Sequence, residues 1–353
     1  MRRSASRRSS MAAKLALVGA AFVVLPFVGV PSAAADPIIA NGALLANVTS
    51  ANGSYVEKVV LHDNRNLSIY VHSASMDETF EVEVQRPADT SVPRPTLYLL
   101  NGAGGGVDAA SWKLRTTVGE FLDDKNVNTV SPRGGAWSYY TDWKSPDPVL
   151  GTNKWKTFLT QELPPIVDAG LGTDGNNAIA GLSSSGTSVL NVAQSSPGLY
   201  KSVASYSGCA QTADPIGQEF VKLTVETWGG GKVKNMYGAD DDPMWAENDP
   251  YIHAEKLRGT ALYISNGNGL PGIHDQLGDS HSLPGVEGLA NQIVIGGIIE
   301  AATNYCSHNM QNKLNQLGIP ATFNFRNSGT HSWGYWEDDF KSSWPVIAGP
   351  LGI

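Results

Sequence analysis

Apolar and polar positions alternate along residues 56–61, 67–71 and 79–84, and turn residues separate the three runs. That period of two predicts half-buried strands in an antiparallel arm spanning 38–94. From Pro95 the alternation stops. Short runs that are apolar at successive positions recur at 96–100, 127–130, 177–182, 203–206 and 261–265, with helical stretches between some of them, chiefly 154–169 and 184–193. Strands that are apolar on both faces and alternate with helices predict a parallel sheet covered on two sides. The expected fold class is therefore α/β, a mainly parallel central sheet with helices on both faces. Residues 225–253 carry Gly, Asp, Trp and Met without a period and read as an insertion near the active site. No internal repeat, low-complexity tract or Pro/Ser-rich linker interrupts 36–353, so one domain is expected there.

The N-terminal 35 residues fit none of this. Arg2, Arg3, Arg7, Arg8 and Lys14 precede an apolar run over 15–30, and Ala33-Ala34-Ala35 stands before Asp36. These are the three regions of a cleavable secretory signal. A membrane anchor is the competing reading, but a run of that length interrupted by Pro26 is short for a span. A Sec route is expected, and the paired arginines also permit a twin-Arg one. Removing five positive charges takes the formal net charge from −8 to −13. A surface that acidic repels phosphates and anionic headgroups, which argues against nucleic acid and favours neutral substrates such as sugars and their esters. Charged residues make up 16% of the chain against about 25% in typical domains, so Gly, Ser, Thr and Asn must cover much of the surface. The two cysteines, Cys209 and Cys306, suggest one disulfide in an exported protein.

Chemistry enters at Gly181-Leu182-Ser183-Ser184-Ser185, directly after an apolar strand and before a helix. A sharp strand-to-helix elbow needs small residues around a serine held up at the sheet edge. Ser183 is thus the candidate nucleophile; Ser185 stands where glycine is usual, and small volume is the requirement. A serine hydroxyl needs a base, and in this arrangement the histidine comes late in the chain. Among His62, His72, His253, His274, His281, His308 and His331, only His331 follows a strand-like run, 321–326, in a loop of the right kind, Asn327-Ser328-Gly329-Thr330-His331-Ser332-Trp333. The aromatics after it, Trp333, Tyr335 and Trp336, read equally as a substrate wall or as local packing.

The acid should lie between the two. Asp275, Asp279, Glu287 and Glu300 all qualify by order, and Asp275 is slightly favoured because it follows the 261–265 strand closely. Residue order alone leaves the acid open. His274, Asp275, Asp279 and His281 could also suggest a metal, but they lack a helical i, i+4 histidine pair or any cysteine, so neither metal nor other cofactor is expected. The oxyanion hole needs one N–H from the residue after the nucleophile, Ser184, and one from the glycine-rich loop Asn101-Gly102-Ala103-Gly104-Gly105-Gly106, assigned to Ala103. That loop lacks the Lys-Ser/Thr ending of a phosphate-binding P-loop.

Taken together, Leu97-Tyr98-Leu99-Leu100-Asn101-Gly102, Tyr140-Thr141-Asp142-Trp143, Lys154-Trp155-Lys156-Thr157-Phe158-Leu159-Thr160, Gly181-Leu182-Ser183, Tyr206-Ser207-Gly208, Asp242-Pro243-Met244-Trp245, Asn248-Asp249-Pro250, Phe323-Asn324-Phe325 and Gly329-Thr330-His331-Ser332-Trp333 resemble the secreted mycolyltransferases. These are the fibronectin-binding antigen family of mycolic-acid bacteria, with an esterase-D-like fold. The resemblance implies an α/β-hydrolase fold and transfer of a mycolyl group from trehalose monomycolate, through an ester on Ser183, to a second trehalose monomycolate, to cell-wall arabinan or to a protein hydroxyl. It implies His331 as base, Ala103 and Ser184 as oxyanion donors, and an acid on the helix before the last strand, which moves the choice from Asp275 to Glu300. A Cys209–Cys306 bridge would then tether the helix of the acid to the sheet edge. The implied substrate-binding positions are Asn101, Gly102, Gly104 and Trp333. Familiar members carry Asp and Arg where this chain has Asn101 and Gly104, which questions the trehalose-binding mode. The rival readings are an exported esterase-D-type carboxylesterase and a matrix- or carbohydrate-binding protein on a hydrolase scaffold.

Overall fold

The computed structural model describes residues 48–353 and the backbone of a two-stranded hairpin before them, β1 (Ile39–Ala40) and β2 (Ala43–Leu44). The leader expected over 1–35 lies outside the described residues. The alternating runs form β3 (Tyr55–Leu61), β4 (Asn66–Ser73) and β5 (Glu78–Gln85), paired antiparallel. The non-alternating runs form β6 (Thr96–Leu100), β7 (Asn128–Pro132), β8 (Asn177–Leu182), β9 (Tyr200–Tyr206), β10 (Ala261–Asn266) and β11 (Thr322–Phe325). All nine join one sheet in the order β11-β10-β9-β8-β6-β7-β5-β4-β3, parallel from β11 to β7. The antiparallel arm attaches through β5 and β7.

Successive side chains of the central strands go to opposite faces, which is why their sequences show no alternation. Tyr98 and Leu100 of β6 join one buried cluster, with Leu163, Ile166, Val189 and Met310, while Leu97 and Leu99 join a second, with Trp112, Trp333 and Phe340. β8 and β9 divide the same way, Ile179 and Val203 to one side, Ala180 and Tyr206 to the other. At about 25 cal/mol per Å² of apolar surface, this two-sided burial is the main term holding the sheet.

The helix expected at 154–169 is divided. Trp155–Thr157 leads into a π-helical turn, Phe158–Glu162, before Leu163–Leu171 completes it. Pro164 and Pro165 lack the N–H groups that an unbroken helix would use there, and the turn before them widens. Residues 225–253 fold as short segments, including helices Val233–Met236 and Pro243–Glu247, around Trp143, Val225, Met236, Tyr237 and Trp245. Each is too short to show a helical period, which explains the patternless sequence.

Candidate active site

β8 ends at Leu182 and the helix Ser184–Ser195 begins two residues later, so Ser183 must make the whole turn. It does so at φ +57°, ψ −127°, a conformation that costs a non-glycine residue about 1–3 kcal/mol and persists only where the surroundings enforce it. The enforcement is visible. Ser183 N–H donates to the Tyr206 carbonyl at 2.8 Å. The Ser185 hydroxyl accepts from Leu182 N–H and donates to the Leu182 carbonyl, both at 2.9 Å, so the serine in the usual glycine position pins the elbow. A Cβ on Gly181 would lie 2.6 Å from Ser185 Oγ and 2.8 Å from its carbonyl oxygen.

The Ser183 hydroxyl meets His331 Nε2 at 2.8 Å, across 148 residues of chain. His331 lies in the loop between β11 and the helix Trp333–Ala348. Its Nδ1 meets Glu300 Oε2 at 2.8 Å. Glu300 is fully buried, near the start of the helix Gly297–Leu317. Its other oxygen accepts from Gly267 N–H at 2.6 Å and from the Ser207 hydroxyl at 2.8 Å, with Arg326 at 3.5 Å. Ser207, at φ +53°, also accepts from Trp336 Nε1 at 2.9 Å, and the Trp336 ring stands edge-on to His331 with centroids 4.9 Å apart. Arg326 pairs as well with Asp339, whose burial pushes its carboxyl above the ordinary range against the pull of that guanidinium. Ser207, Gly267, Arg326 and Asp339 were not among the sequence-derived candidates, although Ser207 sits inside the Tyr206-Ser207-Gly208 match.

Asp275, slightly favoured by its place soon after the 261–265 strand, serves the same loop one residue away. It accepts from Thr330 Oγ1 at 2.5 Å, Gln292 Nε2 at 2.8 Å and the Tyr335 hydroxyl at 2.7 Å. It holds the stretch before His331 and makes no hydrogen bond with the imidazole among the described residues. Ala103 and Ser184 carry the two N–H groups expected to receive an oxyanion. Among the described residues neither donates to a protein acceptor. The loop between them is close, since a Cβ on Gly102 would lie 3.8 Å from Ser183 Cβ.

These contacts form the arrangement by which hydrolase-fold proteins activate a serine. The sequence model of the Esterase family matches residues 73–345, and the diacylglycerol acyltransferase/mycolyltransferase Ag85B of Mycobacterium avium is 32% identical over 89% of each chain. The chain belongs to the Esterase family, in its mycolyltransferase branch. Another relative in that branch, Ag85A of Mycobacterium leprae, is 33% identical over 80% of this chain and 83% of its own. Solved structures agree on the fold. MPT51 of Mycobacterium tuberculosis superposes with TM-score 0.65 at 23% identity over 80% of this chain and 98% of its own. FphF, a fluorophosphonate-binding serine hydrolase of Staphylococcus aureus, gives 0.59 at 17% over 81% and 98%.

The one disulfide expected from the pair of cysteines is present, as Cys209 and Cys306 are bonded with Cα atoms 5.0 Å apart. The bridge joins the segment after β9 to the helix that carries Glu300. Of the expected substrate-binding positions, Asn101 is buried, and its side-chain oxygen accepts from Trp112 N–H at 3.0 Å; that side chain shapes the loop. Trp333 is also buried, edge-on to Trp112 and Trp336 at 5.7 and 5.2 Å, and belongs to the core under the loop. Gly102 stays beside the serine, while Gly104 is covered by the Asp108 carboxylate. A cavity of about 80 Å³ opens at Ser183 and His331, walled by Tyr139, Thr187, Phe220, Leu223, Trp228 and Ile299. Phe220, Leu223 and Trp228 were not singled out from the sequence, although Trp228 lies in the 225–253 stretch expected near the active site.

Proposed function

We propose that this chain is an exported serine acyltransferase that moves a mycolyl group from trehalose monomycolate to a sugar or protein hydroxyl through an ester on Ser183. The observation that carries the reading is the continuous contact from Ser183 to His331 to Glu300, in a chain about one-third identical to proteins named mycolyltransferases over most of its length. As Ser183 Oγ attacks the ester carbonyl, His331 Nε2 takes its proton, and Glu300 holds the imidazolium that forms. The Ala103 and Ser184 N–H groups receive the oxyanion. The bond to trehalose breaks, and its oxygen leaves with the proton from His331. An acceptor hydroxyl then gives its proton to the same nitrogen while it attacks the acyl-enzyme, and Ser183 is restored. The leader over 1–35 fits cleavage on export and leaves 36–353 as the catalytic domain, in the cell envelope where such glycolipids and acceptors lie.

The acceptor follows from the altered loop. With Asn101 and Gly104 in place of a charged pair, a second trehalose is held less firmly, and arabinan or a protein serine becomes the better candidate. Incubation of the purified protein with labelled trehalose monomycolate tests the reading. Mass spectrometry should find a mycolyl adduct on Ser183 that is absent from Ser183→Ala, with label moving to an added trehalose, arabinan or peptide hydroxyl. Release of free acid alone would make the chain a carboxylesterase. Fluorophosphonate labelling that is equal in the wild type and Ser183→Ala would leave a binding protein on this scaffold.

A further inference from the structure

The loop over 267–284, between β10 and the helix Gly285–Asn291, brings together three side chains from outside the catalytic contacts. His274 Nδ1 lies 3.4 Å from Asp279 Oδ2, and His281 Nδ1 lies 3.4 Å from Asp279 Oδ1. One ligand atom from each of the three falls within 4.8 Å of the others. Bonds of about 2.0–2.2 Å to imidazole and carboxylate in a tetrahedral zinc site put neighbouring ligand atoms about 3.3–3.6 Å apart. Both histidine–carboxylate separations match that spacing, each to a different oxygen of Asp279, and the set with one atom per residue closes within 4.8 Å.

The far nitrogens supply an independent argument. His274 Nε2 meets Asp338 Oδ2 at 2.9 Å and His281 Nε2 meets Glu337 Oε2 at 2.9 Å. A carboxylate there accepts the Nε2–H, which selects the tautomer whose Nδ1 lone pair is free. His274 Nδ1 then faces Asp279 Oδ2 acceptor against acceptor, a contact that a cation between them would relieve, while His281 Nδ1 faces Asp279 Oδ1 and also has the Ser280 hydroxyl 3.2 Å away as a donor. Imidazoles oriented by an outer carboxylate are the usual surroundings of metal-bound histidines. Three carboxylates gather at the two rings; of the nearby cations, Lys341 is engaged with Glu337 at 2.6 Å and Arg115 donates to the His281 carbonyl at 3.3 Å. The rings are also seated: His274 lies on Gly334, where any Cβ would collide with the imidazole, and edge-on to Tyr335 with centroids 4.9 Å apart. The absence of a helical histidine pair argued against a metal in the sequence, but this loop achieves the convergence with a turn.

We propose that His274, Asp279 and His281 bind one divalent transition-metal ion of the zinc type. Two nitrogens and one carboxylate suit zinc and disfavour calcium, which takes oxygen ligands. The ion fastens the loop to the first turns of the helix Trp333–Ala348, which carries Glu337 and Asp338. The same loop bears Asp275, whose bond to Thr330 fixes the residue before His331. With three protein ligands the fourth position falls to water, and the ion's part is to clip the loop that holds His331 in place.

The test needs no acyl substrate. The purified protein is dialysed against a chelator and titrated calorimetrically with zinc chloride and, separately, with calcium chloride. One zinc per chain is expected, with a Tm rise of about 5 °C at a hundredfold excess over Kd and no comparable response to calcium. His281→Gln should weaken zinc binding at least 100-fold. Asp338→Asn, which keeps all three ligands, should weaken it about 10–100-fold, and circular dichroism confirms that both variants fold. Equal zinc binding by the wild type and His281→Gln overturns the proposal, as does a wild type that takes up no zinc; the pairs would then be imidazolium–carboxylate contacts alone. Equal affinity for calcium overturns nitrogen ligation.

Discussion

Replacing Glu300 by Gln alters one atom and should nearly abolish acylation, for a reason that lies in the partners of the carboxylate. Oε1 receives two close donors, Gly267 N–H at 2.6 Å and the Ser207 hydroxyl at 2.8 Å, and two longer ones, Asn266 Nδ2 and Arg326 Nη2, each at 3.5 Å. Ser207 cannot turn its proton elsewhere without cost, because its oxygen is already taken by Trp336 Nε1. A glutamine must therefore place its amide oxygen at the Oε1 position. The reverse orientation leaves two buried donors unpaired, at about 1–3 kcal/mol each, and would be populated by a few per cent of molecules or fewer. The amide NH₂ is then directed at His331 Nδ1 and donates to it, so the imidazole proton moves to Nε2. That nitrogen faces Ser183 and can no longer take its proton. In a serine protease triad, the equivalent carboxylate-to-amide change costs about 10⁴ in kcat through the wrong tautomer, and a loss of about 10³–10⁴ is expected here. The assay is the pre-steady-state burst of p-nitrophenolate from p-nitrophenyl butyrate, read for the wild type, Glu300→Gln and Asp275→Asn. Asp275→Asn keeps an oxygen for Thr330 and should stay within about tenfold of the wild type. A Glu300→Gln burst within tenfold of the wild type, or the large loss falling on Asp275→Asn, would refute the reasoning.

Three further outcomes follow from the packing around the site. In Gly208→Ala the new Cβ would meet backbone atoms of the nucleophile helix, Gly186 C at 2.5 Å and Thr187 N at 2.6 Å; overpacking against backbone should cost about 1–3 kcal/mol. It should also slow fluorophosphonate labelling of Ser183, and an unchanged urea midpoint would contradict this. Cys306→Ser opens a bridge spanning 97 residues, for which about 2–5 kcal/mol of stability should be lost; its unfolding midpoint should no longer respond to reductant, whereas that of the wild type should fall. Asp168 is half-buried on its helix, and that burial raises its pKa above 3.8 against the hydrogen bond from Thr173. Because the folded state binds this proton more tightly than the unfolded one, its contribution to stability is fully present below pH 3.8 and declines as pH rises through the folded-state pKa. Asp168→Asn should accordingly raise Tm at pH 7, with the gain closing below pH 3.8; a gain of the same size at pH 3 would show that charge burial is not the cause.

The parallel sheet was legible because burial on both faces leaves a direct signature: five strand-like runs without alternation became β6 to β10 with bounds shifted by a few residues at most. Ser183 and His331 were legible for a different reason. An elbow needs small residues in a fixed local order, and a base must follow a late strand, so each leaves its mark on its own neighbourhood. Glu162 to Pro165 show the opposite case, where the prolines were in plain view but their effect, a widened turn, depends on a core that fixes both ends of the helix.

The carboxylate that bonds His331 was singled out only through resemblance, and the structure gives the physical reason. Asp275 and Glu300 are both buried, both hydrogen-bonded to the loop before the last helix, and both lie between the serine and the histidine in sequence. One bonds Thr330 and the other bonds His331. That one-residue difference is set by the fold of two distant segments. Gly267 N–H and the Ser207 hydroxyl, at the ends of β10 and β9, hold the Glu300 carboxylate below the imidazole. Gln292 and Tyr335 hold Asp275 against the threonine. Neither set is adjacent in sequence to the acid it holds, so no local pattern could separate them. The two close donors on the second oxygen of Glu300 come from the residues just past the ends of β9 and β10. The same dependence makes Ser207 the informative position: its left-handed backbone, at φ +53°, turns the chain at the end of β9 so that one hydroxyl can accept from Trp336 and donate to Glu300 at once.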